Sequence, residues 1–252
     1  MKKIVALMVA VLVAAVTAGS ASATHSWGGY HWARMSNPFT IKLGNNVSGA
    51  WGPMLAKASS DWSVSTVLDA PVVQGGAKGK NCRPTSGRVE VCSASYGNTG
   101  WLGVAQIWIT GGVHITQGTV KNNDYYFGNS TYQYNNTAEM QHVICQEIGH
   151  TFGLDHQSTS GESLNTCMDY YHNTSSSDLL STSPNQHDYD ELAIIYGHND
   201  ATTTIGAASG LPAAVPDFAP ANDRASVYTD HLPNGDLLVT FVIWADPLHL
   251  DF

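Results

Sequence analysis

One short segment constrains this chain more than any other: residues 142–157 read HVICQEIGHTFGLDHQ. Within it, four chemically informative residues recur at intervals of three, namely Glu147, His150, Gly153 and His156. On a helix, residues four apart lie about 6 Å apart along the axis and on nearly the same face. Positions 146 and 150 can therefore face one metal ion. A sharp turn at the glycine can bring the last histidine to the same ion.

The residue types in this pattern suit a catalytic zinc site. Three neutral protein ligands and one water form the open arrangement of such sites. Glu147 neighbours the first ligand position, so its carboxylate can reach the water instead of the metal. Zinc lowers the pKa of the water and polarises a carbonyl, while the carboxylate carries the proton to the leaving amine. The segment therefore predicts metal-assisted hydrolysis with Glu147 as general base and acid.

The motif resembles the signature of the metzincin zinc endopeptidases, and within them of the matrixin-like group, H-E-x-x-H-x-x-G-x-x-H. Here it reads QEIGHTFGLDH over residues 146–156. The resemblance implies one catalytic zinc ion, held by Gln146, His150 and His156. It also implies an endopeptidase that hydrolyses a protein or peptide chain lying extended across a cleft.

The family signature continues with a Met-turn, and TCMDY at residues 166–170 is the candidate here. By resemblance, Met168 forms the apolar floor under the metal. Tyr170 lies two residues later, and in some metzincins a tyrosine at that spacing steadies the oxyanion. The same role is expected for Tyr170.

The chain departs from the signature at Gln146, where the family has histidine. A carboxamide oxygen has similar reach and is neutral, but it is a poor donor to zinc. Three interpretations stay open. Gln146 ligates zinc directly or through water, or His142 replaces it from one turn upstream. Otherwise the site is weakened or lost, and the protein is a catalytically silent binding domain.

The first 23 residues have the organisation of a secretion signal. Lys2 and Lys3 precede an apolar run from Ile4 to Ala18, and Ala21-Ser22-Ala23 has the form of a cleavage site. The sequence therefore predicts a secreted, extracellular protein that starts near Thr24. No membrane association is expected after cleavage.

Export makes the cysteines informative, because disulfides form in oxidising compartments. Four cysteines allow three pairings, and the simplest joins neighbours, Cys82 with Cys92 and Cys145 with Cys167. The second bridge would tie the metal helix to the Met-turn. A four-cysteine zinc site is disfavoured because the chain contains no C-x-x-C.

The remaining patterns predict an α+β (α/β-like) fold: a metzincin-type domain with a twisted mixed sheet, an active-site helix, a Met-turn and a C-terminal helix. Strands are predicted at 38–43, 64–75, 88–96, 101–110 and 113–120. One helix is predicted from Trp51. Another should begin at the capping box of Asn136 and run to about Phe152, and a third should follow Ser183 as N-cap.

The predicted organisation has four parts: signal peptide 1–23, catalytic domain 24–199, linker 200–222 and C-terminal β-hairpin extension 223–252. The linker is rich in Ala, Thr, Gly and Pro. The hairpin has strands at 225–232 and 237–244, joined by a turn containing Asn234-Gly235.

The net charge limits the classes of partner that the chain can bind. The net charge is −9, the opposite of what a nucleic-acid-binding surface needs, so no nucleic acid partner is expected. A monomer acting on protein or peptide is expected. Calcium could bind at Asp124, Asp169 or Asp188, but no D-x-D-x-D-G loop supports it.

Overall fold

A computed structural model describes residues 24–206, 218 and 225–245. The predicted signal peptide lies outside these residues. Among those described, no helix combines the length and apolar character needed to cross a membrane.

The chain folds as α+β, with a mixed sheet and four helices in its described part. The strands are β1 (His31–Trp32), β2 (Phe39–Thr40), β3 (Leu43–Asn46), β4 (Leu68–Asp69), β5 (Val72–Gln74), β6 (Val89–Ala94), β7 (Trp101–Thr110), β8 (His114–Asn123), β9 (Val227–His231) and β10 (Leu237–Trp244). The helices are α1 (Trp51–Trp62), α2 (Asp124–Phe127), α3 (Thr137–His150) and α4 (Gln186–Ile195).

Eight of the strands form one sheet, in the order β5-β3-β6-β8-β7-β10-β9, with β1 paired to β8. The half from β5 to β8 is parallel, and the half from β8 to β9 is antiparallel. The three strands predicted from 88 to 120 do share this sheet. Their spatial order is β6-β8-β7, because a tight β7–β8 hairpin places β8 between the other two.

Helices α1 and α3 pack together against the sheet. The apolar spacing expected from Trp51 buries Trp51, Leu55, Ala58 and Trp62 in α1. The indole of Trp62 donates to the Cys145 carbonyl of α3 at 3.1 Å. This contact anchors the middle of α3, where the metal motif begins.

The prediction for the start of α4 was wrong by two residues. The N-cap is Asn185, not Ser183, and Pro184 precedes the helix. The Asn185 side chain accepts from two backbone amides of the first turn, and Asp188 bonds back to the Asn185 amide at 2.8 Å. Because this reciprocal pair satisfies more of the unpaired donors at the helix start than a serine would, the helix begins there.

Residues 200–206, predicted as the beginning of the linker, lie along the body of the domain. Thr204 bonds through its amide to the Ala33 carbonyl at 3.0 Å, and Gly206 bonds to the Gly87 carbonyl at 3.0 Å. The domain therefore continues at least to Gly206. The hairpin strands match their predicted positions, but they belong to the main sheet, since β10 pairs with β7 over its whole length.

Both disulfides of the neighbour pairing are present, Cys82–Cys92 and Cys145–Cys167. No other cysteine exists in the chain. The second bridge joins α3 to the Met-turn, as expected.

Candidate metal centre

Helix α3 presents the metal motif in the interior of the protein. Its N-cap is Asn136, whose side chain accepts from the Glu139 amide at 2.9 Å, as predicted. The predicted capping box is only half formed, because the Glu139 carboxylate binds His172 and Asn173 instead of the Asn136 amide. Gln146, Glu147 and His150 lie on its last turns and are almost completely buried. Because these polar side chains are buried, each of them needs a hydrogen-bond partner or a bound ligand.

Gly153 turns the chain back after α3. Its φ of +94° is a conformation that side chains with Cβ rarely adopt, and a Cβ there would collide with the Tyr30 carbonyl. The turn brings His156 beside His150, with 4.7 Å between the ring centroids. The glycine of the motif therefore does what its position predicts.

The two histidines each leave one ring nitrogen unpaired. His150 Nδ1 lies 2.8 Å from the Leu154 carbonyl, so this nitrogen carries the hydrogen and Nε2 keeps its lone pair. Burial lowers the pKa of His150 to about 3, so the ring is neutral. Nε2 of His150 and of His156 make no hydrogen bond to any described residue. His150 therefore has the protonation that a metal ligand needs, and each ring has an Nε2 with no partner among the described residues.

Gln146 has a fixed amide orientation. Its Nε2 donates to the carbonyls of Cys167 and Asp169, at 2.8 and 2.6 Å. Two carbonyl acceptors require the nitrogen on that side, so Oε1 points the other way. Oε1 is buried and finds no donor in the described part of the chain. A third ligand-capable atom is thus left without a partner.

His142, the alternative first ligand, has both ring nitrogens engaged. Nε2 lies 3.1 Å from the Asp169 carbonyl, and Nδ1 lies 3.3 Å from Glu139 Oε2. The ring packs between helix and Met-turn. It has no nitrogen left for a metal in this arrangement.

Glu147 projects from α3 towards β7. A Cβ at Gly103 of β7 would lie 2.8 Å from Glu147 Oε1, so only glycine leaves room for the carboxylate there. Burial raises the pKa of Glu147 well above its ordinary value, and the nearby backbone of Ile243 and Ala105 opposes this only in part. Neither carboxyl oxygen has a hydrogen-bond partner of normal geometry among the described residues. The Glu147 carboxyl group is therefore buried beside β7 with no hydrogen-bond partner among the described residues.

The Met-turn lies directly beside this cluster. Met168 is fully buried and packs against the α3 backbone at Gly149, where a Cβ would strike its sulfur. The Tyr170 ring lies 5.3 Å from that of His156. The disulfide between Cys145 and Cys167 fixes the turn to the helix. Met168 and Tyr170 therefore lie beside the helix and turn that carry Gln146, His150 and His156.

Strand β10 covers the cluster, which no local sequence pattern predicts. The Phe241 ring stacks on His150, with centroids 4.2 Å apart and planes at 6°. The Trp244 amide donates to the Tyr170 hydroxyl at 2.9 Å. Ile243 pairs with Gly103, opposite Glu147. Contacts from three residues of this one strand thus cover the site.

A second polar network supports the helix and the Met-turn loop. Glu139, fully buried, contacts His172 Nδ1 at 2.6 Å and accepts from the Asn173 amide at 2.6 Å, and it also faces His142. Burial alone would raise the pKa of Glu139, but attraction to His172 and His142 outweighs it and lowers the pKa to about 2. The carboxylate is therefore charged across the physiological range.

Glu139→Gln should lower the free energy of unfolding by about 3–5 kcal/mol at pH 6, because it breaks a buried ion pair by removing one partner. The folded-state pKa lies below the ordinary value, so this stabilisation is full above about pH 4.5 and disappears as pH falls towards 2. Urea unfolding between pH 3 and 7 measures it. The exposed Glu162→Gln is the control, and an equal difference at pH 3 and pH 6 would contradict the assignment.

The acidic residues considered for calcium have other partners. Asp124 accepts from the Trp51 indole at 2.6 Å, and Asp188 contacts His25 and caps α4. Asp169 Oδ2 accepts from the Leu164 amide. Asp169 lies near enough to Asp188 for their charges to interact, but each carboxylate has its own partners, and none of the three belongs to the group of described residues that could hold a metal ion.

His31, His198 and Asp200 form a separate group that can hold a metal ion, because their ligand atoms all lie within 4.8 Å of one another. No sequence pattern predicted this group. Its only local signal is the H-x-D pattern at residues 198–200. His31 is more than 160 residues away, so spacing cannot reveal the pairing.

The sequence matches no known protein-family profile and no curated protein. The resemblance to metzincins therefore depends on the two motifs and on the site that they build.

Proposed function

We propose that this protein is a secreted zinc-dependent endopeptidase of the metzincin type. The observation that carries the proposal is that the motif residues contribute five of the buried polar atoms left without partners in the described part of the chain: Gln146 Oε1, His150 Nε2, His156 Nε2 and both Glu147 oxygens. Unpartnered buried polar atoms are costly, so several of them on the end of one helix and the turn after it favour a bound group. Two imidazoles and an amide oxygen would hold the ion, with Glu147 beside it.

Zinc bound there would supply a Lewis acid that polarises the scissile carbonyl and acidifies a water molecule. Glu147 would accept the proton of that water and pass it to the leaving amine. Met168 and the disulfide would hold the ligand helix rigid. Tyr170 would donate its hydroxyl hydrogen to the developing oxyanion.

An amide oxygen is a weak zinc ligand, but the fixed orientation of the Gln146 side chain makes it a better one here. Its orientation is fixed by two carbonyls of the Met-turn, so the oxygen is already placed and loses little side-chain freedom on binding. Bonds of this kind from outside the ligand shell also orient the ligands of known metal sites. We therefore infer that Gln146, rather than His142, is the third ligand.

The proposed activity requires β10 to move. Without the hairpin, β7 would be the last strand of the sheet and could pair with an extended peptide. In the structure β10 takes that place in antiparallel register and covers His150. We infer that β10 occupies the position of a substrate chain and must leave β7 before cleavage.

The test is metal content and cleavage measured on one sample. The chain from Thr24 is assayed by elemental analysis and against quenched peptides, beside His156→Ala and beside Phe241→Ala, which weakens the cover. We expect one zinc equivalent that His156→Ala lacks, and cleavage that chelation removes and zinc restores. Zinc without cleavage in either protein would favour a silent binding domain. No difference in zinc between the chain and His156→Ala would refute the site.

A further inference from the structure

Three histidines from distant segments point at one carboxylate oxygen, away from the proposed catalytic site. Nε2 of His31 in β1 and Nε2 of His114 in β8 each lie 3.4 Å from Asp200 Oδ1. Nε2 of His198 lies 3.5 Å from the same oxygen. None of these residues belongs to the motif or to the Met-turn.

The spacing within this cluster matches a metal coordination polyhedron. His31 Nε2 and His198 Nε2 are 3.3 Å apart, so with Asp200 Oδ1 they form a triangle of sides 3.3, 3.4 and 3.5 Å. Zinc binds such ligands at about 2.0–2.1 Å in a tetrahedron, which places ligand atoms about 3.3–3.4 Å from one another. The triangle therefore has the dimensions of one face of a zinc site.

The orientation of the His31 ring is fixed from outside the cluster. His31 Nδ1 lies 2.7 Å from the Gly29 carbonyl and donates to it. Nε2 is therefore the ring nitrogen that faces the Asp200 oxygen and the His198 nitrogen. A cation at the centre satisfies all three atoms together.

Neighbouring groups hold the ligands in place, as they do around known metal sites. Arg34 binds the other Asp200 oxygen through Nη1 at 2.8 Å and through its amide at 3.1 Å. The Gly29 carbonyl sets the tautomer of His31. Asp200 Oδ1 and the two Nε2 atoms are left for an ion.

We infer that His31, His198 and Asp200 bind a second divalent metal ion of the zinc class. Imidazole nitrogen and one carboxylate favour zinc over calcium or magnesium, which take oxygen ligands. The ion links β1 to the segment after α4. Its role is to hold these chain segments together, separately from catalysis.

Zinc titration against a competing chelator tests this site, using the full mature chain and His198→Ala. The His198 side chain is half exposed, so its removal should leave the fold intact. We expect His198→Ala to lose one equivalent, or to bind it at least about 100-fold more weakly, since removing an outer-sphere partner alone costs about 10–100-fold. The exposed His231→Ala is the matched control and should bind as the unaltered chain does.

Thermal unfolding gives a second readout that does not depend on activity. In a His156→Ala background the remaining zinc should raise the unfolding midpoint, and adding His198→Ala should abolish that rise. Equal zinc affinity and stoichiometry in His198→Ala and the unaltered chain would overturn the second site. Loss of zinc in His198→Ala but not in His156→Ala would keep this site and reject the proposed catalytic one.

Discussion

Replacing Glu147 by glutamine should reduce peptide cleavage by about 100- to 10,000-fold while leaving bound zinc in place. A carboxamide has the same shape as the carboxyl group but cannot accept the proton of the attacking water, and general base catalysis contributes about this much. Glu147 faces Gly103 and is not among the proposed ligand atoms, so the metal should stay. Cleavage of a quenched peptide and elemental analysis of the same sample measure both effects.

Loss of activity in Glu147→Gln should not come from unfolding. Burial raises the pKa of this carboxyl group, so a neutral amide at the position removes a desolvation cost and does not add one. Stability should therefore be unchanged or higher. The exposed Glu162→Gln should cleave at the unaltered rate. A Glu147→Gln protein that cleaves within about tenfold of the parent would exclude this residue as the base.

The sequence was sufficient for those features that depend on local patterns. Asn136 with Glu139 marks the start of α3, and a helical period places Gln146 and His150 on one face. Gly153 reveals the turn because only glycine accepts that backbone conformation readily. The disulfide from Cys145 to Cys167 also follows from pairing neighbours.

Features that depend on contacts between distant segments could not be predicted from the sequence. Nothing local to Phe241 indicates that its ring stacks on His150, because the partner of a terminal strand depends on which sheet edge is left unpaired. The apolar residues of β10 predict burial of a strand but not its location. His31 and Asp200 likewise meet only because β1 and the segment after α4 run side by side.

Tying β10 to β7 with a disulfide should abolish peptide cleavage, and reducing that disulfide should restore it. Gln106 and Thr240 lie opposite each other, and their side chains hydrogen-bond at 3.2 Å. Directly opposed strand residues have the separation that a disulfide needs. Neighbouring residues on a strand point to opposite faces, so a Gln106→Cys/Thr240→Cys bridge lies on the face away from Phe241 and the metal ligands.

The expected effect follows from the fraction of molecules with β10 displaced. Observed cleavage scales with that fraction, and the bridge brings it close to zero, so we expect a drop of at least about 100-fold in the oxidised form. Phe241→Ala should act in the opposite direction. Removing a buried phenylalanine ring lowers stability by about 3–5 kcal/mol. The share of this loss that comes from the β7–β10 contact should raise the fraction of molecules with β10 displaced by up to about 100-fold.

A second engineered disulfide serves as a control, because it adds a disulfide without locking β10 over the site. His231→Cys/Leu237→Cys joins β9 to β10 within the hairpin, where the two residues are paired, and leaves the β7–β10 contact unlocked. This protein should cleave peptide equally well in oxidised and reduced form. The parent chain in the same reductant controls for reduction of Cys145–Cys167. If the oxidised β7–β10 bridge, loaded with zinc before oxidation, cleaves as fast as its reduced form, β10 does not occupy the substrate position, because a strand locked over His150 would exclude any peptide from it.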